Sequence, residues 1–405
     1  MRLPLRLLTP IVAVTLALVD VCAQNRLVSE VKKDISSQTM TADGYRKAKN
    51  KLSPALEHTE SREKAVTWWV AGNIDLGIYD KMMDARTAGK KVDGLAAASA
   101  LLEGYDEYAR AMTLDTVFLT DKHGRQRLDK QGYPKYRTQY SDKIMRALYG
   151  HLVDYSAAGG ELFIAGDWER AYHAWDVYYT LARSPLAARY KVNEPDSVVG
   201  YYRYYQGLAA HQGWRLDTAM TLYREAELLG YVKKRVYDSW IDAALRKGDT
   251  MTMVEVATRA RSLYGDSDIH YLRILINDCL TRKEYAGAAA LLNAAIKNDP
   301  NNAEYYDLQG QIVERLNNIT DAMPFYRHAV ELNPNYAIGQ FNYGNALYRK
   351  ALLLENHRGD EAQALYREAA EHVEQAYRLG MHDENTRQVL ARLYYLLNSE
   401  KIDAL

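Results

Sequence analysis

The sequence predicts an all-α fold, a solenoid of stacked antiparallel helix pairs. The first observation is a repeat of 34 residues. Pro300 to Pro334, Ala288 to Ala322, Gly310 to Gly344 and Leu292 to Tyr326 all stand that far apart. A period in this range marks stacked supersecondary units, each of which buries its apolar face only against the next. The second observation is the residue types that recur. Small residues alternate with large rings, as in Tyr306, Gly310, Ala322, Tyr326, Ala329 and Pro334. The small ones let two helices approach, the rings fill the space between them, and the proline stops the second helix. The third is the abundance of tyrosine, 33 against 4 phenylalanines. A tyrosine buries its ring while its hydroxyl reaches water or a partner.

This pattern resembles the tetratricopeptide repeat, a helix–turn–helix unit of about 34 residues, and the resemblance implies the register. Repeat 269–302 carries Leu275, Cys279, Ala288, Leu292, Ala295 and Pro300 at the family's packing positions, and repeat 303–336 follows it. In 337–383, Tyr343-Gly344 opens the first helix, and Ala369, Val373 and Ala376 resume the register after 13 extra residues around Leu353 to Ala364. Leu390, Ala391 and Tyr394 then place a closing cap helix over 385–398. Repeat 234–267 is a degenerate copy built on Trp240, Ala244, the Gly248-Asp249 turn, Ala257 and Ala260. Repeat 200–233 has Gly207, Ala219, Tyr223 and Ala226. Repeat 152–185 has the string Gly166-Asp167-Trp168-Glu169-Arg170-Ala171, the one most typical of the family, and some 14 extra residues follow it.

The N-terminal segment 24–115 fits more loosely. Trp68, Gly72, Tyr108 and Ala111 predict an elongated helix pair, and Arg46 to Glu57 a lone second helix that Pro54 kinks or ends. Residues 116–140 break the helical pattern. The turns Asp121-Lys122-His123-Gly124 and Asp129-Lys130-Gln131-Gly132 predict a hairpin or loop excursion. Lys122, Arg125, Arg127, Lys130, Lys135 and Arg137 make it basic, which suits either a recognition element or a solvated loop. The solenoid proper is expected over 141–405.

Residues 1–23 have the layout of a secretory leader. Arg2 and Arg6 precede an apolar run, Leu7 to Val19, and Val21-Cys22-Ala23 is a small-residue cleavage signal. Asp20 and Val21 fit a lipobox badly, which argues against lipid attachment at Cys22. No later run has the roughly 20 apolar residues that a spanning helix needs. The chain is therefore expected to be exported, periplasmic or peripherally associated with the cell envelope, without a transmembrane segment. Cys279 is then left without an intramolecular disulfide partner and is expected to be buried and inert. The 52 Lys and Arg balance the 52 Asp and Glu, so no electrostatic footprint for nucleic acid is visible.

Local enzyme motifs are absent from the sequence. It has no phosphate loop, no HExxH, no CxxC and no GxSxG. No catalytic residue, cofactor or metal is expected. The resemblance implies instead that the first helix of each pair lines a concave groove. The residues placed in it are Tyr201 and Tyr204, Arg273 and Asn277, Asp307 and Gln311, and Phe341 and Asn345. The side-chain amides are suited to bonding the backbone of an extended peptide. Arg273 and Asn277 also resemble half of the family's carboxylate clamp, although Asp307 has the wrong sign for its other half. The leader, the Gly-Asp-Trp-Glu-Arg-Ala string and the Asp-Pro-Asn and Asn-Pro-Asn linkers resemble exported repeat proteins of Gram-negative envelopes. That resemblance implies a non-enzymatic scaffold or adaptor for protein or peptide partners, in envelope assembly or secretion. The alternative is glycan capture on a platform of Tyr201, Tyr202, Tyr204 and Tyr205.

Overall fold

The structure, a computed structural model, describes residues 24–399 apart from 38, 317–318 and 355–358. The secretory leader expected over 1–23, with Cys22, falls outside the described residues. The chain divides into two compact units, Met1–Ser239 and Trp240–Leu405, and the division falls inside one helix.

The first unit begins with helical residues 24–34 (α1). Then come α2 (Ala42–Glu57), α3 (Ala65–Thr87) and α4 (Gly94–Leu114). Helix α2 starts earlier than Arg46 because Thr41 caps it, its hydroxyl accepting from Gly44 N–H, and it runs through Pro54 to Glu57. Helices α3 and α4 are the elongated pair. The strands β1 (Val117–Phe118) and β2 (Tyr136–Arg137) belong to the excursion, and α5 (Ser141–Gly150), α6 (Leu152–Ile164) and α7 (Trp168–Ala182) follow. A short 3-10 turn, Ala187–Tyr190, takes up part of the 14-residue insertion. The insertion's last four residues lengthen α8 (Asp196–Gln212), which therefore starts four residues before the expected register at 200. Its partner is α9 (Leu216–Leu228).

Helix α10 (Lys234–Lys247) carries the division between the units. The second unit continues as α11 (Thr250–Tyr264), α12 (Ile269–Thr281), α13 (Tyr285–Asn298), α14 (Ala303–Leu316) and α15 (Ile319–Leu332). It closes with α16 (Ala337–Leu354), α17 (Gly359–Arg378) and the cap helix α18 (Glu384–Leu396). The extra residues around 353–364 lengthen α16 and α17 to 18 and 20 residues.

Sequential helices pair as helix hairpins, α3 on α4, α6 on α7, α8 on α9, α12 on α13, α14 on α15 and α16 on α17. The described chain is thus an all-α solenoid with one small β-excursion. Two of the turns between the helices of a pair share one construction. In Gly166-Asp167 and Gly248-Asp249 the glycine takes a positive φ of 82° and 76°, and the aspartate then caps the next helix.

Buried tyrosines behave as the composition suggests. Tyr178, Tyr237, Tyr326, Tyr343 and Tyr394 are buried, and each hydroxyl donates to a glutamate, Glu194, Glu227, Glu314, Glu368 and Glu374 respectively. Cys279, expected in the core, is half-buried at the edge of the cluster formed by Leu272, Ile276, Ala288 and Leu292. Burial pushes its thiol above the usual range, so little thiolate forms near neutrality.

Candidate functional site

In the second unit, α12, α14 and α16 present residues that repeat every 34 positions. A 440 Å³ cavity is lined by Arg273, Ile276 and Asn277 from α12, Glu304, Asp307, Leu308 and Gln311 from α14, and Tyr336 and Ile338 at the start of α16. A 540 Å³ cavity shares Gln311 and adds Tyr285, Glu314, Arg315, Tyr326, Asn342 and Arg349. Within each helix, residues four apart share a face, which brings Arg273 and Asn277 together, and likewise Asp307 and Gln311.

Asp307 is the centre of this surface and is only 1% exposed. Its carboxylate accepts from Asn342 Nδ2 at 3.0 Å, from Gln311 Nε2 at 3.0 Å and from the Tyr336 hydroxyl at 3.5 Å. Burial raises its pKa, and the hydrogen bonds from Asn342, Gln311 and Tyr336 pull the other way without cancelling the rise. A carboxylate only accepts, so both amides must turn their nitrogens toward it. The carbonyl oxygens of Gln311 and Asn342 are the ends left over. At the margins, Arg273 pairs with Glu304 and Arg349 pairs with Glu314, which neutralises both guanidinium groups. The surface therefore offers amide acceptors and the exposed amide of Asn277, beside the paired Arg273 and Arg349 and the further cation Arg315.

This arrangement corrects two expectations. Arg273 pairs with Glu304 on the surface instead of standing free for a terminal carboxylate. Asp307 lies beneath the surface as the group that orients its neighbours. Phe341, placed in the groove by its register, is 7% exposed and packs in the core of α15 to α18. Asn345 is half-buried one turn further along α16. Asn342, Tyr336 and Arg349 were missed, whereas Glu314 lies in the groove where its register places it. Asn342 lies 35 residues beyond Asp307, one step off the groove register, so the repeat pattern gave no signal for it.

Tyr201 and Tyr204 belong to the first unit. They do not share one open face. Tyr204 is 5% exposed, with its ring against Tyr205, Tyr223 and Tyr231 and its hydroxyl 3.3 Å from Ser239 Oγ. Tyr201 is half-buried, and its ring meets Tyr202 edge to face. The flat pair on which a pyranose would stack is absent from these two residues. Instead Tyr201, Tyr202 and Tyr205 join Phe163, Trp175 and Ile164 around a 260 Å³ recess.

No described helix is long and apolar enough to cross a membrane. Among the described residues, no group of three or more His, Cys, Asp or Glu stands close enough to hold a metal ion.

No protein-family model matches the chain, and no curated protein matches it. Solved structures do. One is YrrB, a TPR protein with an unusual peptide-binding site, at 14% identity and TM-score 0.37, over 51% of this chain and 97% of that one. Another is PilF of Pseudomonas aeruginosa, at 13% identity and TM-score 0.40, over 52% of this chain and 90% of that one. The C-terminal part of a TPR repeat-containing protein from Cytophaga hutchinsonii is similar at 16% identity and TM-score 0.40, over 61% of this chain and 90% of that one. The fold described above rests on its own helix pairing and 34-residue spacing.

Proposed function

We propose that this chain is a non-enzymatic scaffold of the tetratricopeptide type that holds an extended segment of a partner protein across α12, α14 and α16. The observation that carries the reading is the fixed orientation of Gln311 and Asn342. Both amides are pinned through nitrogen to a buried carboxylate, and their oxygens are left to accept from backbone N–H groups. A side-chain amide held in place loses little entropy on binding. It also reads backbone and not sequence, which suits an adaptor. The leader-like residues 1–23 support export and work in the periplasm or at the envelope, in assembly or secretion.

The test is site-specific photocrosslinking in cells, with the probe at Asn277 or Glu304 and a control at exposed Met251. A dominant crosslinked protein at the first two positions and none at the control is expected. No crosslinked protein at those positions, where a known scaffold crosslinks under the same conditions, would overturn the reading.

A further inference from the structure

The excursion between α4 and α5 is not used by the reading above, and its construction is unusual. Three short extended stretches close on one another through backbone hydrogen bonds. Leu119 N–H donates to Lys135 O at 2.8 Å, Lys135 N–H to Arg127 O at 2.7 Å, and Arg127 N–H to Leu119 O at 2.8 Å. These three residues stand eight apart in sequence, and two matching turns join them. In each turn one aspartate oxygen, Asp121 Oδ1 or Asp129 Oδ1, accepts two backbone N–H groups, and a glycine at positive φ (77° for Gly124, 88° for Gly132) completes the bend. The base is tied by Asp115. Its buried carboxylate accepts from the backbone of Gln139, Tyr140 and Ser141 and from the Ser141 hydroxyl.

This frame holds its side chains out. From 116 to 139 no residue is buried, and only Leu119, Asp121 and Asp129 are half-buried. Phe118 is 55%, Leu128 54%, Tyr133 69% and Tyr136 62% exposed. Beside them stand six basic side chains against two carboxylates, in a chain whose net charge is zero. Both carboxylates are engaged by the turns, and Asp121 also binds Arg125. Among the described residues, Lys122, Lys130, Lys135 and Arg137 make no salt bridge.

We propose that this excursion docks the chain on an anionic phospholipid surface. Aromatic rings favour the headgroup level of a bilayer, and basic side chains beside them are drawn to lipid phosphates. The exposed aliphatic residues Val117 and Leu128 favour a lipid surface over a nucleic acid, because they neither stack on bases nor bond to them. A framework fixed by backbone bonds presents these groups without the cost of ordering the backbone at contact.

The test is co-sedimentation of residues 24–405 with vesicles of phosphatidylcholine alone or with added phosphatidylglycerol. Omitting the leader removes its own lipid affinity. Binding to the phosphatidylglycerol vesicles, weakened by salt, is expected. The triple charge reversal Lys122→Glu, Lys130→Glu, Arg137→Glu should lower it by about tenfold or more. Phe118→Ser with Tyr133→Ser and Tyr136→Ser should weaken binding while leaving the helical circular dichroism unchanged, since these side chains pack on no core. Replacing 117–138 by a short Gly-Ser linker should abolish it. Equal binding by the charge-reversed chain, or no binding by the parent, would overturn the proposal. Binding to a single-stranded oligonucleotide or to polyglutamate without binding to vesicles would overturn it too, and would assign the excursion to a soluble polyanion.

Discussion

Asp307 on α14 and Asn342 on α16 are joined by a hydrogen bond of 3.0 Å that links one repeat to the next. A buried carboxylate is costly unless its lone pairs are used, and here three side chains use them. Asp307→Ala would leave the Asn342 and Gln311 amides without their acceptor. It is expected to cost about 1–3 kcal/mol, seen as a lower urea midpoint of the second unit. Combined with Asn342→Ala in a double-mutant cycle, it should show a coupling of about 0.5–3 kcal/mol. Additive effects would mean that the contact is not energetically formed.

Adjacent glycines on α6 should respond to alanine with opposite signs. A Cβ at Gly159 would lie 2.5 Å from Trp175 Nε1. That ring is 3% exposed and anchored by its own bond to Ser156 O, so it cannot move aside cheaply. Overpacking of this kind costs about 1–3 kcal/mol. A Cβ at Gly160 meets nothing within 4 Å. Gly160→Ala should therefore gain the helix-propensity difference, about 1 kcal/mol. Thermal melts of the two variants would show the melting temperature falling for the first and rising for the second.

Much of this architecture was legible because it is periodic. Gly207 and Gly310 face the rings of Tyr223 and Tyr326 at 2.7 Å from an added Cβ, and a small residue 16 positions before a ring states that contact in the sequence. The Gly-Asp turns were equally plain, because only glycine takes the left-handed bend without strain and aspartate is a strong cap. The site was less legible. Register alone put Phe341 and Tyr204 in the open, whereas the core of α15 to α18 buries the first and a cluster of tyrosines the second. Asn342 has no repeat signature, because its role is set by Asp307, which is distant in the chain.

The same turn logic marks two residues as strained. Trp214 and Lys283 occupy the place that Gly166 and Gly248 hold in other pairs, with φ of 58° and 62°. A side chain in that region costs about 1–2 kcal/mol, and a glycine there adds about 0.4–1 kcal/mol of freedom to the unfolded chain. Lys283→Gly is accordingly expected to stabilise by about 0.5–1 kcal/mol, measured by chemical denaturation. An unchanged or lower midpoint would show that the Lys283 side chain contributes more than its backbone costs.

A pair of acids, Asp75 buried and Glu107 half-buried, gives the last prediction, a dependence of stability on pH. Lys49 Nζ donates to both oxygens of Asp75, at 2.7 and 2.8 Å, and to Glu103. Glu107 is the second acid beside Asp75. Burial first, then the charge of Asp75 and a hydrogen bond to it, raise its pKa far above the usual carboxylate range. Burial and the neighbouring charge of Asp75 favour the protonated form of Glu107, and Lys49 favours the charged form of Asp75, so Glu107 is the acid that keeps its proton in the folded chain near neutrality. Unfolding releases that proton, because a solvated glutamate titrates near 4.5. Between that value and the raised folded value the native chain binds more protons than the unfolded one. Stability should then fall as pH rises through this window, at up to about 1.4 kcal/mol per pH unit. Glu107→Gln keeps a neutral donor and has nothing to release. Urea denaturation from about pH 5 to about pH 9 should give a shallower decline for the variant than for the parent. Parallel declines would mean that Glu107 is ionised in the folded chain.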